Sequence, residues 1–276
     1  MKKISVSIFL SLALFISHTS WAKVQEIRSM HEIHEEITPQ TLVVFDIDNT
    51  LMSPTGNLGS DQWFFYLRHL YSLQGLSEKE SLDKANLTWN KTQELISVKP
   101  VESDTPAWIQ SLQKKGIKTM ALTARSLDVA ETTKKQLKSI HIQFTPTPPY
   151  SKALTLEKTE LHAPDPAMFT DGILLVGERN NKGLVLEAFL KKICYTPEKI
   201  LFIDDKLKHV ENMEKALTSL SIPYFGYRYA ALDAHVEAFK AQFAEVNHQQ
   251  TADLFLMGIL PHKTQHRNLD AKRQSQ

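Results

Sequence analysis

The sequence predicts an α/β fold: a doubly wound, Rossmann-like parallel sheet with a small helical cap inserted into it. Short, continuous apolar runs at 41–45, 117–122 and 199–203 are typical of strands buried on both faces, as in a parallel sheet. Amphipathic stretches separate these runs, and strands that alternate with helices favour a doubly wound sheet. Residues 57–99 interrupt the alternation with helical patterns alone, which indicates an insert.

The core elements carry local signals of their own. Residues 23–40 have the pattern of a short lead-in helix, in which Ser29 and Glu32 stand at capping-box spacing. Further along, residues 171–177 are expected to form a strand. Residues 182–192 are expected to form a helix with Leu184, Val185, Ala188 and Phe189 facing inward. We therefore assign the core to residues 23–56 and 100–230.

The insert at 57–99 is expected to be a cap of two helices. Ser60 precedes the first helix, and Ser77 precedes the second with Glu80 at capping-box spacing. Asp61 either caps the first helix or faces the site below the cap. Four aromatic residues are expected to pack the two helices together, and the alternative is that they line the underside of the cap: Trp63, Phe64, Phe65 and Trp89.

Three other segments follow less regular patterns. Residues 140–170 contain three closely spaced prolines, which remove backbone donors, so we expect irregular structure there, with a hairpin or a second lid as alternatives. Residues 231–261 are expected to form a C-terminal helical segment. The polar tail at 262–276 is expected to be disordered.

The N-terminus has the pattern of a signal peptide over residues 1–22. Two lysines precede an apolar run at 4–16, and Ser20 and Ala22 occupy the positions that signal peptidase recognises. A membrane anchor is the alternative, but this run is shorter than the roughly 20 residues that a spanning helix needs. We therefore expect an exported protein, periplasmic or secreted, with no stable membrane anchor after cleavage.

Charge and cysteine content exclude some classes of protein. The formal net charge is +1, and no basic stripe with interleaved aromatic residues is present, so we expect no nucleic-acid partner. Cys194 is the only cysteine, which excludes an intramolecular disulfide.

The first candidate catalytic pair directly follows the first predicted core strand. Asp46 and Asp48 are two residues apart, so both carboxylates can face one crevice at the end of that strand. One carboxylate can attack phosphorus and the other can act as acid and then base. The alternative is a turn rich in Asp and Asn, which is common after strands.

Further candidates follow the next predicted strands in chain order. Thr123 ends one strand beside a helix start, where an anion can bind. Asp204 and Asp205 end another, and adjacent carboxylates after an apolar strand favour a bound cation. Lys182 begins a predicted helix, and a cation there is favourable if an anion lies between the lysine and the helix N-terminus. The alternatives are ordinary helix caps and a surface lysine, and three other lysines compete for the role: Lys152, Lys158 and Lys206.

Together these motifs resemble the four motifs of the haloacid dehalogenase (HAD) superfamily, and more narrowly a group of exported bacterial proteins within it. The matching residues are Asp46-x-Asp48-x-Thr50, Thr123, Lys182 and Asp204-Asp205. The resemblance implies a HAD-like core with a cap inserted after the first motif. It also implies Mg²⁺ held by Asp46, the Asp48 backbone carbonyl, Asp204 and Asp205, with Thr123 and Lys182 binding phosphate oxygens.

The function implied is a Mg²⁺-dependent phosphomonoester hydrolase acting on a small phosphorylated substrate. Asp46 would form an aspartyl-phosphate, and Asp48 would protonate the leaving alkoxide and then activate water. Dehalogenases of the superfamily lack an acid at the second position, so Asp48 favours phosphate chemistry. The alternative is an exported HAD-fold binding or effector protein with little or no turnover.

Overall fold

The computed structural model describes residues 22–245 and residue 249. Its strands are β1 (Ala22–Ile27), β2 (Thr41–Phe45), β3 (Met52–Pro54), β4 (Val98–Pro100), β5 (Lys118–Thr123), β6 (Leu154–Leu156), β7 (Ala167–Thr170), β8 (Ile173–Leu175), β9 (Lys199–Asp204) and β10 (Tyr224–Tyr229). Its α-helices are α1 (Asp61–Leu73), α2 (Glu78–Gln93), α3 (Thr105–Lys114), α4 (Ala130–Ser139), α5 (Lys158–Leu161), α6 (Lys182–Lys192), α7 (Leu207–Thr218) and α8 (Asp233–Glu237).

Eight of these strands form one sheet, in the order β1-β10-β9-β2-β5-β8-β7-β6. The first six strands in this order, β1 to β8, are parallel to their neighbours. At the other edge, the pairs β8–β7 and β7–β6 are antiparallel. The predicted α/β fold class is confirmed. Strand β2 lies between β9 and β5, where the chain order of the sheet reverses direction, and ligands of such sheets bind beyond the carboxyl ends of the strands at this point.

The central strand is buried on both faces, as its continuous apolar run predicts. Val43 and Phe45 belong to one hydrophobic cluster, and Leu42 and Val44 belong to a second cluster on the other face. Side chains of a strand alternate between its two faces, so one apolar run supplies both clusters. Helix α3 covers the first face, and α6 and α7 cover the second.

The cap is connected to the core by a short antiparallel ribbon. Strands β3 and β4 pair along this ribbon and carry the chain out to the cap and back. Ser77 caps α2 in a capping box with Glu80, as predicted, and Ser60 rather than Asp61 caps α1. Trp63 and Trp89 lie in the hydrophobic cluster between the two cap helices, whereas Phe65 is largely exposed.

One of the predicted elements is wrong, and one residue that was expected to face inward does not. The stretch 23–40 begins with an edge strand, β1, and its capping box at Ser29 and Glu32 starts only one turn of 3-10 helix, Met30–Glu32. The segment 140–170 contains a hairpin of β6 and β7, which was one of the alternatives. Leu184, expected to face inward, is exposed, while the other three residues of that set are buried or half-buried.

The terminal predictions fall mostly outside the described residues. The predicted signal peptide covers residues 1–22, of which only Ala22 belongs to a described element, and the tail predicted to be disordered, 262–276, lies entirely outside the described residues. Within the predicted C-terminal helical segment, α8 and residues 241–245 are helical. In the described part of the chain, no helix is long and apolar enough to span a membrane.

Candidate active site

Three neighbouring strands bring the candidate residues to one edge of the sheet. Asp46 follows β2, Asp204 ends β9 and Thr123 ends β5, and β2 lies between the other two strands. The Asp46 amide donates to the carbonyl of Ile203 at 2.9 Å, so the pairing of β2 with β9 continues one residue beyond the end of β2. The spatial neighbourhood of these three residues is therefore a direct result of the strand order.

A buried ion-pair network lies at the centre of this edge. The Lys182 ammonium contacts the Asp46 carboxylate and donates to Asp204 Oδ2 at 2.7 Å. Lys182 is 2% exposed, Asp46 5% and Asp204 0%, so water contributes little to the solvation of these charges. Burial of this kind is expected only for charges that are paired. Of the four lysines considered from the sequence, Lys182 is the one that contacts Asp46.

The first turn of α6 places Lys182 in this position. The Asn181 side chain caps the helix by accepting from the amides of Gly183 and Leu184. Gly183 packs so closely against α7 that a Cβ atom there would lie 2.5 Å from the Asn212 carbonyl oxygen. The absence of a side chain at Gly183 thus allows the close approach of α6 to α7 beside the site.

The loop after β2 connects Asp46 to Asp205. Asn49 adopts a left-handed backbone conformation (φ 60°), and its side-chain amide donates to Asp205 Oδ2 at 3.3 Å. The Thr50 hydroxyl donates to Asp46 Oδ2 at 3.3 Å and accepts from the Asp205 amide at 3.1 Å. Asn and Asp are among the residues that tolerate this conformation best, so the backbone of the loop favours an Asn at position 49.

Electrostatics of the site follow from its burial. Burial, together with the charges of Asp204 and Asp48, raises the pKa of Asp46 to about 6, against the lowering effect of Lys182. Burial and the neighbouring Asp204 charge likewise raise the pKa of Asp205. Burial would also raise the pKa of Asp204, but Lys182 and His209 hold it well below its ordinary value.

The acidic cluster fits a hard divalent cation. Asp46, Asp204 and Asp205 each offer one oxygen, and these oxygens lie within 4.8 Å of one another. Lys182 is shared by Asp46 and Asp204. The side chain that donates a hydrogen bond to Asp205 is the neutral amide of Asn49. Carboxylate oxygens with spare lone pairs and excess negative charge are suited to Mg²⁺. The Asp48 side chain lies outside this cluster, so a role for its backbone carbonyl stays a prediction.

Asp48 is instead held by Arg125. The guanidinium forms two hydrogen bonds to the Asp48 carboxylate, from Nε to Oδ2 and from Nη2 to Oδ1, both at 2.8 Å. Arg125 is buried, and its backbone amide donates to the Thr123 hydroxyl at 3.2 Å. The end of β5 therefore supplies both the candidate phosphate ligand Thr123 and the partner of Asp48.

The cap closes over the site and leaves a narrow cleft of about 40 Å³. Asp61, at the start of α1, lines this cleft and pairs with Lys206 at 3.0 Å, so it faces the site while Ser60 caps the helix. Glu178 lines the same cleft from the core, and burial raises the pKa of its carboxyl group. Trp89 and Phe64 form the apolar part of the wall.

Two groups of the site were missed in the sequence. His209 contacts both carboxylate oxygens of Asp204 at 3.1 Å from the first turn of α7, five residues after the motif, and that spacing is a usable signal. Arg125 stands directly beside the motif residue Thr123, but its partners lie at Asp48, Gln93 and Gln136. No local pattern reveals contacts across such distances.

The family of the chain is now identifiable. The family described as "Protein of unknown function (DUF2608)" matches residues 26–255, which include the whole site. The chain belongs to this family. The residues that match the DUF2608 family contain both cap helices as well as the core.

Curated relatives of this DUF2608 protein include proteins from Chlamydia. A protein of Chlamydia pneumoniae named "Putative outer membrane protein" is 28% identical over 232 residues, which cover 83% of this chain and 85% of the relative. A protein of the same name from Chlamydia trachomatis is 27% identical over 244 residues, covering 87% and 89%. Among solved structures, a hydrolase from Pseudomonas syringae aligns with 14% identity and a TM-score of 0.40, covering 72% of this chain and 99% of that structure. At this low structural similarity the neighbour's function does not transfer.

Proposed function

We propose that this protein is a Mg²⁺-dependent phosphomonoester hydrolase that acts through an aspartyl-phosphate on Asp46. The observation that carries the proposal is the buried contact of Lys182 with Asp46 and Asp204 at the carboxyl ends of two adjacent central strands. A buried carboxylate next to a cation, with a second carboxylate two residues away, is a suitable arrangement for phosphoryl transfer.

The roles of the two carboxylates follow from the balance of the reaction. An oxygen of Asp46 attacks phosphorus, the bond from phosphorus to the alcohol oxygen breaks, and Asp48 gives its proton to the leaving alkoxide. Water then attacks the phosphorus, Asp48 takes the water proton, and the bond to Asp46 breaks to release phosphate. The hydrogen bonds from Arg125 leave further lone pairs on both Asp48 oxygens, so the same group can exchange a proton.

The phosphate oxygens would be bound by groups with unused donors. Lys182 has three N–H donors, and its contacts with Asp46 and Asp204 use two of them. The Thr123 hydroxyl accepts from the Arg125 amide, which leaves its own proton to donate. Mg²⁺ bound by Asp46, Asp204 and Asp205 would neutralise negative charge on these carboxylates and on the phosphate.

The test is hydrolysis of two esters, a generic aryl phosphate and the much smaller acetyl phosphate, by the mature chain with Mg²⁺ and with EDTA. We expect turnover that requires Mg²⁺ and disappears in Asp46→Asn, which keeps the shape of the side chain but removes the nucleophile. Asp171→Asn is the matched control, since Asp171 lies in the exposed turn between β7 and β8, at the opposite ends of the strands.

The outcomes separate the two functional hypotheses. Mg²⁺-dependent turnover in the wild type and in Asp171→Asn, but not in Asp46→Asn, supports the hydrolase. Full activity of Asp46→Asn contradicts the covalent role of Asp46. A folded, Mg²⁺-binding wild type that hydrolyses neither ester contradicts the hydrolase and favours the binding or effector protein.

We further propose that the chain is exported to the cell envelope or beyond. The support comes from the signal-peptide pattern at 1–22 and from chlamydial relatives that are named outer membrane proteins. Expression of the full chain in a Gram-negative host, followed by N-terminal sequencing of the periplasmic fraction, should give Lys23 as the first residue. Retention of Met1 in a cytoplasmic product would contradict export.

A further inference from the structure

Arg125 has an unusually complete set of partners. Its guanidinium has five N–H donors, and each has an acceptor. Nε and one Nη2 proton bind Asp48, the two Nη1 protons bind Thr133 at 3.0 Å and Gln136 at 2.7 Å, and the second Nη2 proton binds Gln93 at 3.3 Å. No donor remains for a phosphate oxygen, so substrate binding by Arg125 would require one of these bonds to break.

The partners belong to three different parts of the molecule. Asp48 is in the catalytic loop after β2, and Thr133 and Gln136 are on α4 of the core. Gln93 is the last residue of the cap helix α2. The Trp89 ring, one turn earlier in the same cap helix, lies 5.0 Å from the guanidinium carbon. Arg125 thus joins the candidate acid to the core on one side and to the cap on the other.

The contact with the cap is itself firmly fixed. The Gln93 amide donates to the Gly59 carbonyl at 2.8 Å, and its carbonyl oxygen accepts from Gln136 as well as from Arg125. Gln93 is 1% exposed, so movement of the cap would leave these buried polar groups without partners. The position of the guanidinium is therefore tied to the closed position of α2.

We propose that Arg125 is a positioning residue that aligns Asp48 for proton transfer, and that the closed cap completes this alignment through Gln93 and Trp89. The inference rests on the proposed function, because it assigns a role within the same reaction. Its consequence is that proton transfer, rather than attack by Asp46, depends on the contact between the cap and Arg125.

The experiment compares two small esters of similar size in Arg125→Lys and in the wild type. Acetate is a stable anion, so it can leave acetyl phosphate without being protonated. Ethoxide is strongly basic, so it must be protonated as it leaves ethyl phosphate. General acid catalysis contributes about 10²–10⁴-fold to rate, so in Arg125→Lys we expect kcat/KM to fall at least about tenfold for ethyl phosphate and less than about threefold for acetyl phosphate. Gln93→Leu removes the acceptor that the cap offers to Arg125. It should lower the ratio of kcat/KM for ethyl phosphate to kcat/KM for acetyl phosphate, by a smaller factor than Arg125→Lys does.

Controls separate positioning from a structural role. Arg68→Lys changes the same residue type in an exposed ion pair within the cap and should leave the ratio of the two esters unchanged. Activity on acetyl phosphate shows that the Arg125→Lys protein is folded with a working Asp46. Equal losses for both esters, or no loss for either, overturn the inference while the proposed function stands. A wild type that hydrolyses neither ester overturns both.

Discussion

The ammonium group of Lys182 lies 2.7 Å from the Asp204 carboxylate, and both side chains are almost completely buried. The same ammonium contacts Asp46, so one buried lysine balances two carboxylates that belong to neighbouring strands. Burial alone would lower the pKa of Lys182, but Asp204 and Asp46 together raise it above its ordinary value. The lysine is therefore charged at any ordinary pH and stabilises the site before a metal binds.

Lys182→Met should strongly destabilise the metal-free protein. The substitution leaves two buried carboxylates without their counter-ion, and breaking a buried pair in this way costs roughly 3–5 kcal/mol. Chemical denaturation in EDTA should show this loss, and Mg²⁺ should recover part of it because it neutralises the same carboxylates. Lys152→Met, at an exposed lysine, is the control and should change stability by less than about 0.5 kcal/mol. Equal stability of the two variants in EDTA would contradict the pairing.

Binding of Mg²⁺ should release protons at mildly acidic pH. Burial raises the pKa of Asp46 to about 6, and a metal binds the deprotonated form, so protons compete with the metal at and below that pH. Calorimetry at pH 6 in two buffers of different ionisation enthalpy should therefore report proton release. The release should decrease as the pH is raised, because a growing fraction of the Asp46 carboxylate is then already charged. If Mg²⁺ bound at pH 6 as tightly as at higher pH and released no protons, the raised pKa of Asp46 would be contradicted.

Asp48→Asn should separate the two halves of the reaction. With acetyl phosphate the leaving acetate needs no proton, so Asp46 should still be phosphorylated. The amide cannot take the proton from water, so hydrolysis of the intermediate should slow by about 10²–10⁴-fold. Intact-protein mass spectrometry should then show one added phosphoryl group on Asp48→Asn and none on the Asp46→Asn, Asp48→Asn double variant. If Asp48→Asn hydrolysed acetyl phosphate at the wild-type rate, Asp48 would be excluded as the base.

Two glycines, one before α1 and one between α1 and α2, offer a matched pair of substitutions. Gly59 and Gly75 both have positive φ (74° and 87°), but a Cβ at Gly59 would lie 2.6 Å from Ile96, whereas a Cβ at Gly75 meets nothing within 4 Å. Each substitution by Ala should cost about 1–2 kcal/mol for the left-handed backbone. Gly59→Ala should lose more than Gly75→Ala in a denaturation experiment because of the added contact. Similar losses for the two variants would show that Ile96 moves aside freely.

Local signals in the sequence account for much of the fold. The apolar run of β2 and the capping box at Ser77 depend on residues close together in the chain, and they were predicted correctly. The edge strand β1 was missed because the strand it pairs with, β10, comes about 200 residues later, and nothing local distinguishes β1 from a short helix. The capping box at Ser29 and Glu32 does form, but it lies after β1 and starts only one turn of 3-10 helix.

Prediction of the site reached the motif residues but not their partners. Lys182 was chosen from four lysines by its order in the chain, and the structure places it between Asp46 and Asp204. The bond from Arg125 to Asp48 joins residues 77 positions apart, and its link to Gln93 depends on how the cap docks. These contacts are properties of the assembled fold, so motif spacing contains no information about them.

The two-part wall of the cleft has a consequence for how substrate range can diverge. Asp48 and Glu178 line the cleft from the core, whereas Asp61, Phe64 and Trp89 line it from the cap. Substitutions in the cap alone would therefore reshape the space above Asp48 without touching the groups at the strand ends. In this arrangement, a change of binding partner does not require a change in the buried carboxylates or in Lys182.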